Sequence, residues 1–366
     1  MVVSKVVSFG FGLVFALASY QSPGQSSGSS LPRLDVVEAV LENTAPSFTV
    51  DQVSRLEDAF GIEGRDAAME RLNELFSDVY TSFKPHERRS EREARDFFTT
   101  VDSLFDKHGL RNTDGPFLNE KLSSPYDGIA CFHRSLVFNS LGKAYPFSIR
   151  PVIASDDHIF VRYESEELDT VINWETTSGK SLPDSHYIEK YGLSAHSLES
   201  GSYLRSLPDS QALAPLYRYF GDALEDSDAS IEEILAFKRK AYRLDTTRLA
   251  SLYSLAMTSA QGARYDSAYA YLDKALELDT ANARTWFLRG LVAEKEHDPE
   301  TASCFYDTAL DIDSAHVKSL YRQATLSLER GDQDTFQESL KQLKSDKTEN
   351  IFYIYNLEKK YEKQQQ

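Results

Sequence analysis

The sequence is poor in the residues that build disulfide frameworks and metal centres. Two cysteines among 366 residues, Cys131 and Cys304, exclude a disulfide framework and a four-cysteine zinc site. Basic residues are also scarce, because 40 Lys and Arg stand against 57 Asp and Glu and give a net charge of −17. Phosphate backbones bind clustered Lys and Arg, so this balance argues against nucleic acid as a partner. The class that remains is an acidic globular protein in which a single thiol could carry chemistry.

Long apolar runs are lacking beyond the first residues. Val6–Ala18 follows the single charge of Lys5 and ends in small residues at 16 and 18, as a secretory signal does. At 13 residues the run is too short to span ~30 Å of hydrocarbon comfortably. We therefore expect residues 1–18 to be a cleaved signal peptide and residues 19–33, rich in Ser, Gly and Pro, to be a flexible linker. The mature chain would be periplasmic or extracellular, with no stable membrane span; an uncleaved anchor is the alternative.

The rest of the chain changes character twice. Apolar residues recur at helical spacing within residues 34–115, which predicts a helical N-terminal segment. Residues 116–215 combine a helix over 131–141 with short β-rich runs, which predicts an α+β core. These runs are FSIRPVIA (147–154), HIFVRY (158–163) and TVINWE (170–175).

From about residue 230 the sequence repeats. ALELDT (275–280) returns as ALDIDS (309–314), an offset of 34 residues. At the same offset, small residues recur where two packed helices must approach closely: Ala256, Gly290 and Ala324, and again Ala268 and Ala302. A helix–turn–helix period of this length is typical of tetratricopeptide repeats.

The third copy of the repeat weakens after Arg330, because Phe336 replaces the expected small residue. A terminal helix over 350–363 would cap the array. We therefore predict an all-α repeat domain over residues 235–366 whose groove binds a protein or peptide partner.

Cys131 is the candidate nucleophile. It precedes Phe132, Leu136, Val137 and Leu141, which share one helix face, and it falls in the first turn of that helix. Unpaired N–H groups and the positive end of the helix dipole stabilise a thiolate there and can donate to an oxyanion. A small buried hydrophobe is the alternative role for such a cysteine. Cys304 is expected in the core of a repeat helix, and a disulfide between the two cysteines remains open.

A base and an orienting acid can be sought on the two strands that follow. If HIFVRY and TVINWE form a hairpin with its tip at 166–167, paired positions sum to 333 and His158 lies opposite Glu175. Asn173 would be diagonal on the same face, with Trp174 facing away. A slip of one residue would undo this assignment. The spacing thus nominates Cys131, His158 and then either Glu175 or Asn173.

The central block resembles the transglutaminase-like (papain-like cysteine) superfamily, and most of all its bacterial SirB-type branch, in which such a core precedes tetratricopeptide repeats. By this resemblance, Cys131 would be the nucleophile, His158 the general base and Glu175 the orienting acid, with Asn173 and Trp174 in support. The residues that carry it are FLNEKLSSPYDGIACFHRSLVFNSLG (117–142), DDHIFVRY (156–163), INWETTSGK (172–180), YIEKYGLS (187–194) and SYLRSL (202–207).

Two positions depart from the family pattern. Members usually carry Gly two residues before the cysteine and a small hydroxyl residue two after it, where this chain has Ile129 and His133. The resemblance implies acyl transfer on peptide or amide substrates, as a peptidase, deamidase or transamidase, with no cofactor and no metal. The alternative is a catalytically idle transglutaminase-like core fused to a protein-binding array.

Overall fold

The computed structural model divides the chain into two compact units. It describes residues 65–84, 90–108, 128–145, 147–156, 158–225, 228–345 and 351–365. The predicted signal peptide and linker lie outside these residues. The first unit comprises Met1–Pro151 and Phe160–Ser181, and the second comprises Val152–Ile159 and Leu182–Gln366. Within the described ranges, no helix is long and apolar enough to cross a bilayer.

The first unit begins with helices α1 (Arg65–Ser82) and α2 (Glu91–Lys107) and continues with α3 (Gly128–Ala144). Ser90 starts α2, because its side chain accepts a hydrogen bond from the Glu93 N–H and satisfies one free donor of the first turn. The apolar stripe of α2 is buried as its spacing predicts. Its members are Phe97, Phe98, Val101, Leu104 and Phe105.

The three predicted β-rich runs form strands of a sheet with the order β1-β2-β3-β4. The sequence did not predict β4, because two residues are too few to show an alternation of polar and apolar side chains. The strands are β1 (Ile149–Ser155), β2 (His158–Ser165), β3 (Thr170–Glu175) and β4 (Lys180–Ser181).

The predicted register of the β2–β3 hairpin is wrong by two residues. Val161 pairs with Trp174 and Ser165 with Thr170, so paired positions sum to 335 rather than 333. The cause is the turn: residues 166–169 form a four-residue connection in which Asp169 has a positive φ of 46° and donates its N–H to the Glu166 carbonyl. The predicted pairing of His158 with Glu175 assumed a two-residue turn, and it is wrong because the turn has four residues. A shift of two keeps every side chain on its predicted face.

The second unit contains short helices followed by a series of helix pairs. The short ones are α4 (Asp184–Tyr191), α5 (Ala195–Glu199) and α6 (Asp209–Ala212). The pairs are α7 (Ala214–Leu224) with α8 (Ile231–Leu244), α9 (Leu249–Gln261) with α10 (Tyr265–Leu278), α11 (Ala283–Lys295) with α12 (Pro299–Ile312), and α13 (Val317–Arg330) with α14 (Gln333–Ser345), and α15 (Ile351–Gln365) follows.

The 34-residue period governs the whole series. First helices begin at residues 249, 283, 317 and 351, and second helices begin at 231, 265, 299 and 333. Helix α15 occupies the place of a further first helix, and its Tyr361 ring stacks on buried Phe336 at 5.1 Å. The array also starts earlier than residue 235, since the α7–α8 pair shares the spacing.

One pair of positions, which we call the interhelix pair, joins the two helices of each repeat. In the α11–α12 repeat it is Gly290 and Tyr306, where a Cβ on Gly290 would lie 2.2 Å from the tyrosine ring. At the same offset the α7–α8 repeat has Asp222 and Lys238, whose charged groups are 2.8 Å apart. An ion pair thus stands where the other repeats place a small and a large apolar residue. Those residues are Ala256 with Leu272 and Ala324 with Leu340.

Candidate functional site

Cys131 is the fourth residue of α3 and is buried, with 2% of its surface exposed. The helix starts three residues before the predicted 131 and continues three residues past the predicted end at 141. Gly142 lies within it and permits close packing, because a Cβ there would lie 2.9 Å from Cβ of Ile149. The prediction that Cys131 lies in the first turn of a helix is confirmed.

Glu175 lies at the end of β3, also buried in the first unit. Its Oε1 accepts hydrogen bonds from the Thr177 N–H at 3.2 Å and the Thr177 hydroxyl at 2.6 Å. Arg134, three residues after Cys131, donates from Nη1 to the Thr176 carbonyl at 3.2 Å. This bond fastens the helix that bears Cys131 to the strand end that bears Glu175. Arg134 is not among the site residues predicted from the sequence, since its spacing from Cys131 is the only local signal for it.

Asn173 and Trp174 are both buried next to Glu175 on β3. The Asn173 Oδ1 accepts a hydrogen bond from Nε of Arg162 at 2.7 Å. The Trp174 indole stacks on Phe98 with ring centroids 5.2 Å apart. These contacts hold β3 against Arg162 and Phe98. The role of Asn173 and Trp174 in supporting a catalytic site stays a prediction.

His158 begins β2 and belongs to the second unit. Its ring lies 5.9 Å from that of Tyr191 on α4. Cys131 and Glu175 therefore share one unit and His158 belongs to the other. Assembly of the three into one catalytic site stays a prediction.

The prediction that Cys304 is a core residue is wrong, because its side chain is exposed on α12. Ala302 and Tyr306 on the same helix are buried, and Cys304 lies between them on the outward side of the turn. No disulfide joins the two cysteines. Among the described residues, no three His, Cys, Asp or Glu side chains are grouped as a metal site requires.

The first helices of the array stack on one another through equivalent positions. The Tyr253 hydroxyl on α9 is 2.8 Å from the Thr285 hydroxyl on α11, and the Tyr321 and Tyr353 rings on α13 and α15 are 5.0 Å apart. The outward side beside this seam, which we call the first-helix face, carries exposed cations and apolar side chains, with Glu329 at the place of Lys295 in the next repeat. It includes Arg284, Leu291, Lys295 and Lys318, all wholly or partly exposed.

Comparison with known proteins agrees with the helical repeat. The tetratricopeptide repeat family model matches residues 249–282, the span of α9, α10 and the turn after them. The chain is similar to the solved structure of MamA, at 18% identity over 42% of this chain and 80% of that one, with a TM-score of 0.29. It is also similar to YrrB, a TPR protein with an unusual peptide-binding site, at 22% identity over 42% and 78% of the chains and a TM-score of 0.29.

A further similar structure is Pseudomonas aeruginosa pilF, at 16% identity over 75% of this chain and 97% of that one, with a TM-score of 0.35. None of the curated proteins compared with the chain matches it. The family match and the unbroken 34-residue spacing agree on one conclusion: the chain contains tetratricopeptide repeats, which suggest binding to a protein or peptide.

Proposed function

We propose that the protein binds a protein or peptide partner on the first-helix face of its repeat array. The observation that carries this proposal is the common register of the first helices, which presents equivalent positions at regular intervals. The exposed cations Lys295 and Lys318 stand on this face although the whole chain has a charge of −17. A partner with acidic groups would be attracted to such a surface.

Site-specific photo-cross-linking in the native host tests the binding surface. A benzophenone side chain at Leu291, on the first-helix face, is expected to give a discrete adduct with a partner. The matched control places the same group at Asp273, an exposed residue of the second helix α10. Lys318→Glu should reduce the Leu291 adduct at least about tenfold, because a repulsive charge would meet an acidic partner. Equal adducts at both positions, or none at Leu291, would contradict the proposal.

We further propose that the protein acts outside the cytosol. The support is the order of three features that a secretory signal has: a positive charge at Lys5, an apolar run over Val6–Ala18, and small residues at positions 16 and 18. Fractionation of the cross-linked cells tests export. We expect a chain that lacks its first 18 residues in the exported fraction. A full-length chain confined to the cytosol would contradict export.

A second proposed function is acyl transfer by the transglutaminase-like core. The favouring observation is the Arg134 bond to Thr176, which holds the helix of Cys131 against the strand end of Glu175. In this proposal the Cys131 thiolate attacks an amide carbonyl, and His158 takes the thiol proton and returns it to the leaving amine. Glu175 orients the imidazole. Water or a second amine then cleaves the thioester and restores the thiol.

Alkylation of Cys131 by iodoacetamide tests this second function. Because Cys304 is exposed, the measurement needs a Cys304→Ser background so that only Cys131 is labelled. We expect the folded protein to be labelled at least about tenfold faster than the denatured one at neutral pH, and His158→Ala to abolish the difference. Labelling of the folded protein that is no faster than in denaturant would leave an idle core beside a binding array.

A further inference from the structure

The carboxylate of Asp156, in the turn after β1, is bound by the repeat array. Its Oδ2 lies 2.6 Å from Nη1 of Arg284, the second residue of α11. Its Oδ1 accepts a hydrogen bond from the Tyr203 hydroxyl at 2.7 Å. The Arg248 guanidinium, just before α9, donates to the Asp156 backbone carbonyl at 3.4 Å. Two arginines and a tyrosine thus converge on one acidic residue.

Arg248 has donors to spare at this place. It is 3% exposed, and its Nε and Nη1 have no hydrogen-bond partner among the described residues. Burial lowers the pKa of its guanidinium to about 10, and the neighbouring charges of Asp245 and Asp156 act in the opposite direction. A buried guanidinium with unused donors is costly unless an anion lies against it. The site therefore has more hydrogen-bond donors than Asp156 uses.

The segment that leads to Asp156 forms backbone hydrogen bonds of the kind that a bound extended peptide would form. The Leu204 N–H donates to the Ile153 carbonyl at 2.8 Å, and Val152 forms an antiparallel bridge with Ser206. Residues 152–156 thus add a short strand beside residues 204–206 and place an acidic side chain at its end. Backbone hydrogen bonds plus one anchored side chain is a recurring mode of peptide recognition.

We propose that Arg248, Arg284 and Tyr203 form a carboxylate-binding site for an extended acidic peptide, and that Asp156 occupies it as an internal ligand. The proposal rests on partner binding by the array and names the chemistry of the partner. Arg284 keeps 45% of its side chain exposed, so an incoming carboxylate can reach it before Asp156 leaves. A partner presenting Asp or Glu after an apolar extended stretch would displace residues 152–156 and take over both arginines.

A peptide with the sequence of residues 150–160, RPVIASDDHIF, serves as the probe, with fluorescence anisotropy as the readout. Occupancy of the site by Asp156 should weaken the apparent affinity of the native full-length protein for this peptide. The Asp156→Asn protein should bind it about tenfold more tightly, since the competing internal ligand loses its charge. Adding Arg284→Gln to that protein should remove the gain. The matched control is Arg239→Gln, which removes an arginine of the second helix α8 that pairs with Glu232 and should leave peptide affinity unchanged.

A probe peptide with Asn at the position of Asp156 should bind the Asp156→Asn protein at least about tenfold more weakly than the acidic probe. Equal binding of the two probes, no gain from Asp156→Asn, or an equal loss from Arg239→Gln would overturn the carboxylate site. The Leu291 cross-link separates this result from the wider function. An adduct that the acidic probe does not compete away would leave partner binding standing and the carboxylate site refuted.

Discussion

Gly290→Ala is expected to lower the free energy of unfolding of the repeat array by about 3 kcal/mol, because the added methyl overpacks a closed core. The new Cβ would lie 2.2 Å from Cε1 of Tyr306. Tyr306 is fully buried and packs on Phe287 at 5.7 Å, and its hydroxyl bonds to Glu294, so the ring has nowhere to move. The gain of roughly 1 kcal/mol that alanine brings to a helix interior is smaller than this clash.

Urea denaturation followed by circular dichroism measures the loss, with a fall in Tm of about 9 °C expected alongside. The chain supplies the control, because two other repeats combine Ala with Leu at the interhelix pair. Gly290→Ala with Tyr306→Leu should therefore recover at least half of the lost stability. A single variant as stable as the native protein would show that α11 and α12 can move apart.

Lys238→Leu is expected to destabilise the array by about 3 kcal/mol through loss of charge compensation rather than through shape. Lys238 is 1% exposed, and its ammonium lies 2.8 Å from Asp222 and 2.8 Å from the Thr258 hydroxyl, with Glu225 also in contact. Without it, the partly exposed carboxylates of Asp222 and Glu225 would lose the cation that they share, and among the described residues Arg218 would remain paired with Asp222. We place the loss at the low end for a buried pair because both acids keep some contact with solvent.

The matched double variant Asp222→Ala with Lys238→Leu turns this interhelix pair into the Ala and Leu found in two other repeats. Its stability should return to within about 1 kcal/mol of the native protein, since apolar replacement of a buried ion pair is often neutral. Urea midpoints for the native, single and double variants complete the cycle. Additive losses in the double variant would mean that Lys238 and Asp222 do not act as a pair.

The interhelix pair also shows why the sequence predicted part of the array and missed its beginning. Ala256, Gly290 and Ala324 recur because their helices must approach closely, so the physical requirement is visible as a residue pattern. The α7–α8 repeat meets the same requirement with Asp222 and Lys238. Charged residues are usually exposed, so a sequence alone does not indicate that these two are paired between helices. The pattern of small and large apolar residues therefore appears in the sequence one repeat after the first helix pair.

The candidate site was predictable to a similar degree. The helix that carries Cys131 and the strands that carry His158 and Glu175 follow from local periodicity, and all three elements are present. The hairpin register depends on a positive φ at Asp169. Residues other than glycine seldom adopt this conformation, so the sequence does not predict it. The bonds from Arg134 to Thr176 and from Arg284 to Asp156 join residues 42 and 128 positions apart, beyond any local pattern.

The attachment of Asp156 to the array bears on the order in which the chain folds. Contacts within the array join residues a few tens of positions apart, such as Tyr253 with Thr285 at a separation of 32, whereas Asp156 reaches Arg248 and Arg284 across 92 and 128 residues. Long loops close more slowly and form the slower part of a folding reaction. The repeats should therefore reach native structure first, and residues 152–156 should join them in a later kinetic phase that Arg284→Gln would slow.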